Sequence, residues 1–178
     1  MKKLTTTFLF LMVISATSVF AQEKFDNERY GKTLNLGLGI GGYAGYYGYV
    51  STLVPVFHAN YEFDVARSFT LAPFITFYTY QKNDYRETVI PMGAKGTYYF
   101  DKLLEANPRW DFYLAGSLGF AIRSTSWDSG YVGDRDDYKK GEALFLDFHA
   151  GAEYHLTRKL GVFLDLSTGV STIGLAIH

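Results

Sequence analysis

The chain has 178 residues, with 17 Lys and Arg against 18 Asp and Glu, 18 Gly, 15 Tyr, 15 Phe and no Cys. A formal charge of −1 excludes the strongly basic face of a nucleic-acid-binding protein. The lack of cysteine excludes a disulfide framework and a thiolate metal site.

Lys2 and Lys3 precede a mostly apolar run from Phe8 to Phe20, and Val19-Phe20-Ala21 supplies a cleavage site. This pattern predicts a signal peptide over residues 1–21. The run of roughly 13 residues is short of the ~20 that a spanning helix needs. No Cys follows, so N-terminal acylation is not expected. Removing Lys2 and Lys3 leaves 15 basic against 18 acidic side chains, a charge of −3, in a single domain spanning 22–178.

Gln22 to Lys32 reads as a polar lead-in. Eight segments with a period of two follow, and that period marks strands with two different faces. The first, Thr33 to Gly41, turns Leu34, Leu36, Leu38 and Ile40 one way and Asn35, Gly37 and Gly39 the other. Gly42 to Tyr49 is a Gly/Tyr-rich loop. The second strand, Leu53 to Phe63, has Phe57, Ala59, Tyr61 and Phe63 on its apolar face and Val56, His58, Asn60 and Glu62 opposite. Asp64 to Ser68 is a tight turn. The third strand, Phe69 to Tyr80, sets Phe69, Leu71, Ile75 and Phe77 against Thr70, Thr76 and Tyr78. Gln81 to Glu87 reads as a charged loop. The fourth, Thr88 to Phe100, sets Ile90, Met92, Ala94, Tyr98 and Phe100 against Lys95, Thr97 and Tyr99.

After a longer turn, Asp101 to Arg109, the fifth strand runs from Trp110 to Arg123. Trp110, Phe112, Leu114, Leu118, Phe120 and Ile122 oppose Asp111, Tyr113, Ser117 and Arg123. Ser124 to Gly141 is the longest polar segment. The sixth strand, Leu144 to Tyr154, sets Leu144, Leu146, Phe148, Ala150, Ala152 and Tyr154 against Phe145, Asp147, His149, Gly151 and Glu153. The seventh, Leu160 to Thr168, sets Val162, Leu164 and Leu166 against Phe163, Asp165 and Ser167. Gly169 to Ser171 closes a hairpin to the eighth, Thr172 to His178.

Alternating short and longer connections predict an all-β, eight-stranded antiparallel up-and-down barrel. The charges Glu62, Lys95, Asp111, Arg123, Asp147, Glu153 and Asp165 all fall opposite the apolar row. This is the pattern of a transmembrane barrel with lipid outside and a polar lumen inside. A soluble barrel with the reverse facing has the same parity, so that alternative stays open. The aromatics Tyr61, Phe63, Phe69, Tyr98, Phe100, Trp110, Phe112 and Tyr154 gather at strand ends on the side of the termini, where an interfacial belt belongs. Inward Tyr78, Tyr99, Tyr113, Phe145 and Phe163 are expected to plug the lumen, since aqueous pores need about 16 strands. Pro55, Pro73 and Pro91 fall within strands, and a closed barrel has no free edge for them. Bulges near the outer rim are expected at Pro55 and Pro91, and the pattern offers no account of Pro73.

With this pattern the chain resembles the small OmpA/OmpX-type outer-membrane barrels of Gram-negative envelopes. It is most similar to the outer-membrane β-barrel domain family of short single-domain proteins. His58 to Phe63, Ile90 to Phe100 and Ile173 to His178 carry the likeness, which spans residues 22–178. The resemblance implies residence in the cell outer membrane, with outer-membrane lipid and lipopolysaccharide as surroundings. It also implies insertion by the barrel-assembly machinery and no cofactor. The chain departs from the family at its end, where His178 stands in place of an aromatic residue.

Three groups of residues are candidates for chemistry. The first is a lumen network of Glu62, Lys95, Arg123, Asp147, His149, Glu153 and Asp165. Lys95 is expected to pair with Asp147 or Glu153. Asp147, His149, Glu153 and His155 share one face of the sixth strand and could bind a metal or act as general bases. A hydrogen-bonded polar lumen is the expected reading, with no catalytic or metal residue assigned. The second group is a loop surface for an extracellular protein or other ligand, offered by Tyr43, Tyr46, Tyr47, Tyr49, Trp127 and Tyr131. The third is the acidic loop with Asp128, Asp134, Asp136 and Asp137, whose spacing does not match an EF-hand. A lipid A deacylase or acyltransferase is the enzymatic alternative. It needs His, Ser and an acid together, and no Ser lies two residues from any His. The expected role is structural, adhesive or surface-interacting.

Overall fold

The computed structural model describes residues 30–41, 54–82, 85–127 and 144–178. The signal peptide, Tyr43, Tyr46, Tyr47, Tyr49, Tyr131 and the four aspartates of the acidic loop lie outside the described residues. The strands are β1 (Thr33–Gly41), β2 (Val54–Ala66), β3 (Phe69–Lys82), β4 (Tyr85–Tyr99), β5 (Trp110–Trp127), β6 (Leu144–His155), β7 (Leu160–Ser167) and β8 (Val170–Ile177). Each pairs antiparallel with its sequence neighbours, and β8 pairs with β1 to close the barrel. Closure leaves no sheet edge, which lipid requires because it cannot satisfy exposed backbone groups.

Several strands outrun the sequence reading. Gln81 to Glu87 is mostly strand rather than loop, and Ser124 to Trp127 extends β5. β2 continues past Phe63 to Ala66, where a register shift between Asp64 and Ala66 turns the chain into β3. Val170 and Ser171 belong to β8, not to a turn. Polar residues fooled the reading because the lumen is itself polar, so polarity marks a face here as often as a loop.

The parity is as expected. Leu38, Phe57, Leu114, Leu118, Phe148, Leu166 and Ile173 are each more than half exposed, whereas Glu62, Lys95, Asp147, Glu153 and Asp165 are buried inside. The reverse facing of a soluble barrel is therefore not the one adopted. In water, such an exterior would cost about 25 cal/mol per Å², and soluble monomers rarely expose patches beyond roughly a few hundred Å². In lipid it costs nothing. Around the rim nearest the termini, Trp110 stacks on Phe112 (5.8 Å between centroids) and packs against Tyr154 (4.9 Å), and Tyr61 meets Phe63 edge-on (4.8 Å).

The prolines are absorbed by gaps in the ladder, not by bulges. β2 and β3 pair at Asn60–Phe74 and again at Phe63–Leu71, and Pro73 sits in the interval, facing outward. Its other neighbour, Ala94, stays in register. Pro91 falls in a matching gap between Ile75–Met92 and Tyr78–Val89, while keeping its register with Ala121. Pro55 lies beyond the last β2–β3 pair, Phe57–Phe77, and remains opposite Ile40. Each proline thus withholds its missing N–H from one ladder and leaves the other intact.

The lead-in and the β4–β5 connection pack across part of the end of the barrel nearest the termini. Tyr30 is buried, stacks on Tyr99 (4.1 Å, 7°) and donates its hydroxyl to Asp101 (3.0 and 3.1 Å). Asp101 opens a single 3₁₀ turn, Asp101–Leu104. Asp64 accepts the backbone N–H groups of Tyr30 (3.1 Å) and Gly31 (2.8 Å), which fixes where the lead-in enters.

Candidate functional site

All seven charged residues expected in the lumen face inward, but they form separate clusters at different depths. In the middle, Lys95 of β4 donates to Asp165 of β7 across the barrel, and both side chains are 5% exposed. Lys95 therefore pairs with neither Asp147 nor Glu153, as the sequence reading had it. Asp165 sits opposite Gly151 and Thr172 in register, and the Tyr113 ring lies over Gly151 with its hydroxyl on Asp165. Asp165 also accepts from the Tyr113 hydroxyl (3.1 Å) and contacts His149 Nδ1 (2.7 Å). Ser117 Oγ lies 3.0 Å from His149 Nε2. Beside this set, His58 joins Thr76 (2.9 Å) and Asn60 (3.1 Å).

Above the middle, Glu87 is fully buried, accepts from Tyr80 (2.8 Å) and lies 3.9 Å from Arg123. Glu87 was missed because its segment read as a charged loop. An unbroken alternation through Glu87, Val89 and Pro91 was the signal that could have found it. Val54, Val56, Phe74, Tyr78, Val89, Phe145 and Val170 pack around this layer as an apolar plug. Asp147 accepts from Thr168 (3.2 Å), and its carboxylate occupies the space a side chain at Gly169 would need.

Toward the termini, Glu62 accepts from Asn35 (2.8 Å), Thr70 (2.5 Å) and Tyr99 (2.7 Å). At the mouth, Glu153 lies 2.7 Å from His178 Nε2 and 3.7 Å from His155 Nδ1, and His155 Nε2 lies 2.8 Å from Asp111. The β6 set Asp147, His149, Glu153 and His155 is thus not one site. Asp147 joins Thr168, His149 joins Asp165, and Glu153 and His155 join His178. His178 went unrecognised as a partner because it follows β8 and reaches β6 only across β7, over Gly161.

Ser117, His149 and Asp165 stand in the order of a serine hydrolase relay. The cavity beside them has a volume of about 20 Å³, room for about one water molecule. Trp127, expected in a loop, ends β5 and packs against Tyr85 (5.4 Å). The five aromatic residues expected to plug the lumen are all buried in it.

Among solved structures, the chain is similar to Neisserial surface protein A (NspA), with TM-score 0.50 and 14% identity over 82% of this chain and 93% of that one. It is also similar to Ail, the attachment invasion locus protein of Yersinia pestis, with TM-score 0.49 and 10% identity over 83% and 98%. A de novo designed transmembrane β-barrel gives 0.42 and 15% over 84% and 98%. At these identities the likeness is one of fold. No family model and no curated protein matches the chain.

Proposed function

We propose that the chain is an integral outer-membrane barrel of the OmpA/OmpX type, exported by a cleaved signal peptide and inserted by the barrel-assembly machinery. It serves as a structural or adhesive anchor rather than as a pore or an enzyme. One observation carries this reading: the exterior is a continuous apolar surface, while the lumen is filled by paired charges and aromatic rings. Such a barrel sits in lipid and lipopolysaccharide and conducts little. What remains for function is the rim opposite Tyr30 and His178, where residues 42–53 and 128–143 connect strands. Their tyrosines and aspartates suit contact with an extracellular protein or another surface ligand.

The test is fractionation with heat-modifiability. The unboiled protein is expected in the outer-membrane fraction, running faster than the boiled form, with cleavage of intact cells confined to residues 42–53 and 128–143. A soluble periplasmic protein without a mobility shift would overturn the reading. Steady conductance in a planar bilayer would overturn the plugged lumen.

A second reading, a hydrolase, is favoured by the Ser117–His149–Asp165 geometry. The one-water cavity and the engagement of Asp165 by Lys95 weigh against it. A fluorophosphonate probe distinguishes the two. Labelling that Ser117→Ala abolishes would establish a reactive serine, and the anchor reading expects none.

A further inference from the structure

We infer that Glu153, His155 and His178 form a binding site for a borderline divalent transition-metal ion, zinc foremost, at the mouth of the barrel nearest the termini. One donor atom from each residue lies within 4.8 Å of the other two. Glu153 and His155 are two residues apart and share the inner face of β6. His178 follows β8, and its backbone N–H donates to the Lys159 carbonyl (3.1 Å) in the β6–β7 turn, which holds the imidazole over the mouth.

Glu153 Oε1 is 2.7 Å from His178 Nε2 and 3.7 Å from His155 Nδ1. Around a tetrahedral zinc with bonds of ~2.0–2.1 Å, neighbouring ligand atoms stand about 3.3 Å apart. These two separations bracket that value and the third lies within 4.8 Å, so binding asks for side-chain adjustments of roughly an ångström. Two imidazole nitrogens and one carboxylate oxygen, with a fourth position left open, suit zinc and its neighbours. Calcium and magnesium prefer oxygen alone.

The second observation is the support behind the ligands. Each imidazole has its other nitrogen engaged, His155 Nε2 by Asp111 (2.8 Å) and His178 Nδ1 by Thr33 (2.9 Å). This arrangement orients metal-binding histidines and raises their basicity. It leaves His155 Nδ1 and His178 Nε2 directed at Glu153. The charges also suit a dication, since Glu153 and Asp111 bring two carboxylates to the two imidazoles. An open cleft of about 430 Å³, lined by Arg109, Arg158 and one of the three ligands, His155, lies beside the site. The His155 and His178 side chains are 24% and 19% exposed, against 9% for His149 in the middle of the lumen. The site does not depend on what the loops at the far rim do.

The test uses the full chain folded in detergent, with any affinity tag removed and folding confirmed by heat-modifiability. Zinc is titrated in competition with a chromophoric chelator, and cobalt(II) is added separately as a spectroscopic probe. The expected result is one zinc per chain at micromolar affinity or tighter, with cobalt d–d bands of a four- or five-coordinate site. His155→Ala and His178→Ala should each weaken binding by about 100-fold or more, and Asp111→Asn by about 10–100-fold. His178→Gln keeps the volume and should fold even where the alanine variant does not. His149→Gln, in the middle of the lumen, should leave the affinity unchanged. Three results would overturn the proposal: a folded wild-type barrel that binds no zinc, affinity indifferent to His155 and His178, or displacement of zinc by equimolar calcium. The first two would mark the cluster as a proton-sharing set of histidines and carboxylates.

Discussion

The middle of the lumen and its mouth contain the same ingredients, histidines facing carboxylates, in opposite states of closure. In the middle, Asp165 is surrounded by Lys95, Tyr113 and His149, and the adjoining cavity holds about one water. At the mouth, Glu153 meets two imidazoles that are partly exposed beside an open cleft. The first arrangement satisfies its charges internally and rigidifies the barrel. The second keeps coordination positions that an incoming ion can use. Burial and access, more than residue type, separate structure from chemistry here.

The sharpest way to break this comparison is to remove one charge from the closed layer. Lys95→Met leaves Asp165 buried without its cation and should cost about 3–5 kcal/mol. Detergent or urea unfolding followed by gel mobility would measure it. A double-mutant cycle with Asp165→Asn should recover much of the loss, and a cycle with Asp147→Asn should show little coupling. Strong coupling to Asp147 instead would mean that the lumen pairs in a different register. At the mouth, Glu153→Gln should cost less, about 1 kcal/mol, because the freed imidazoles can turn to water.

The outer face at the depth of Lys95 gives the contrast between faces. Lys95 lies opposite Ser117 in register, and the next residue, Leu118, points outward on the apolar face. Leu118→Lys puts the same charge one residue away and one face over. It should cost ~2–4 kcal/mol in a bilayer. A loss below about 0.5 kcal/mol would mean that Leu118 does not face hydrocarbon at mid-depth.

The barrel itself was legible because period-two alternation is the direct imprint of its two environments. Leu144 to Tyr154 states both faces of β6 without ambiguity, and every charge assigned inward is inward. Pairing across the lumen was not legible. Lys95 could reach any of several acids, and the choice of Asp165 depends on strand stagger around the closed barrel, which parity does not encode. His178 was unreadable as a partner of β6 because it reaches Glu153 across β7, where Gly161 leaves space for the carboxylate, and parity does not encode contacts two strands apart. Glu87 and Ser124 to Trp127 were lost to the opposite error, in which polar strand residues imitate a loop. Pro73 had a readable consequence, a skipped pair in one ladder, but which ladder skips is fixed only by the hydrogen-bonding direction at that residue.

The smallest expected effects come from giving one methyl group to a glycine in each layer. At Gly151, opposite Tyr113, an added Cβ would overlap the Tyr113 ring. That ring is held by Tyr99 (5.7 Å between centroids) and by its hydroxyl on Asp165. It cannot retreat without loosening the closed layer, so Gly151→Ala should cost ~1–3 kcal/mol, as overpacking does. At Gly161 the added Cβ would instead meet the Glu153 carboxylate. A carboxylate is the end of a flexible side chain and the mouth is open, so Gly161→Ala should cost less than about 1 kcal/mol. It should nevertheless displace Glu153 from His178 and weaken zinc binding, whereas Gly151→Ala should leave zinc affinity alone. Urea midpoints and zinc titrations on the two variants would check this crossover. Equal stability losses at both positions would mean that the mouth is packed as tightly as the middle.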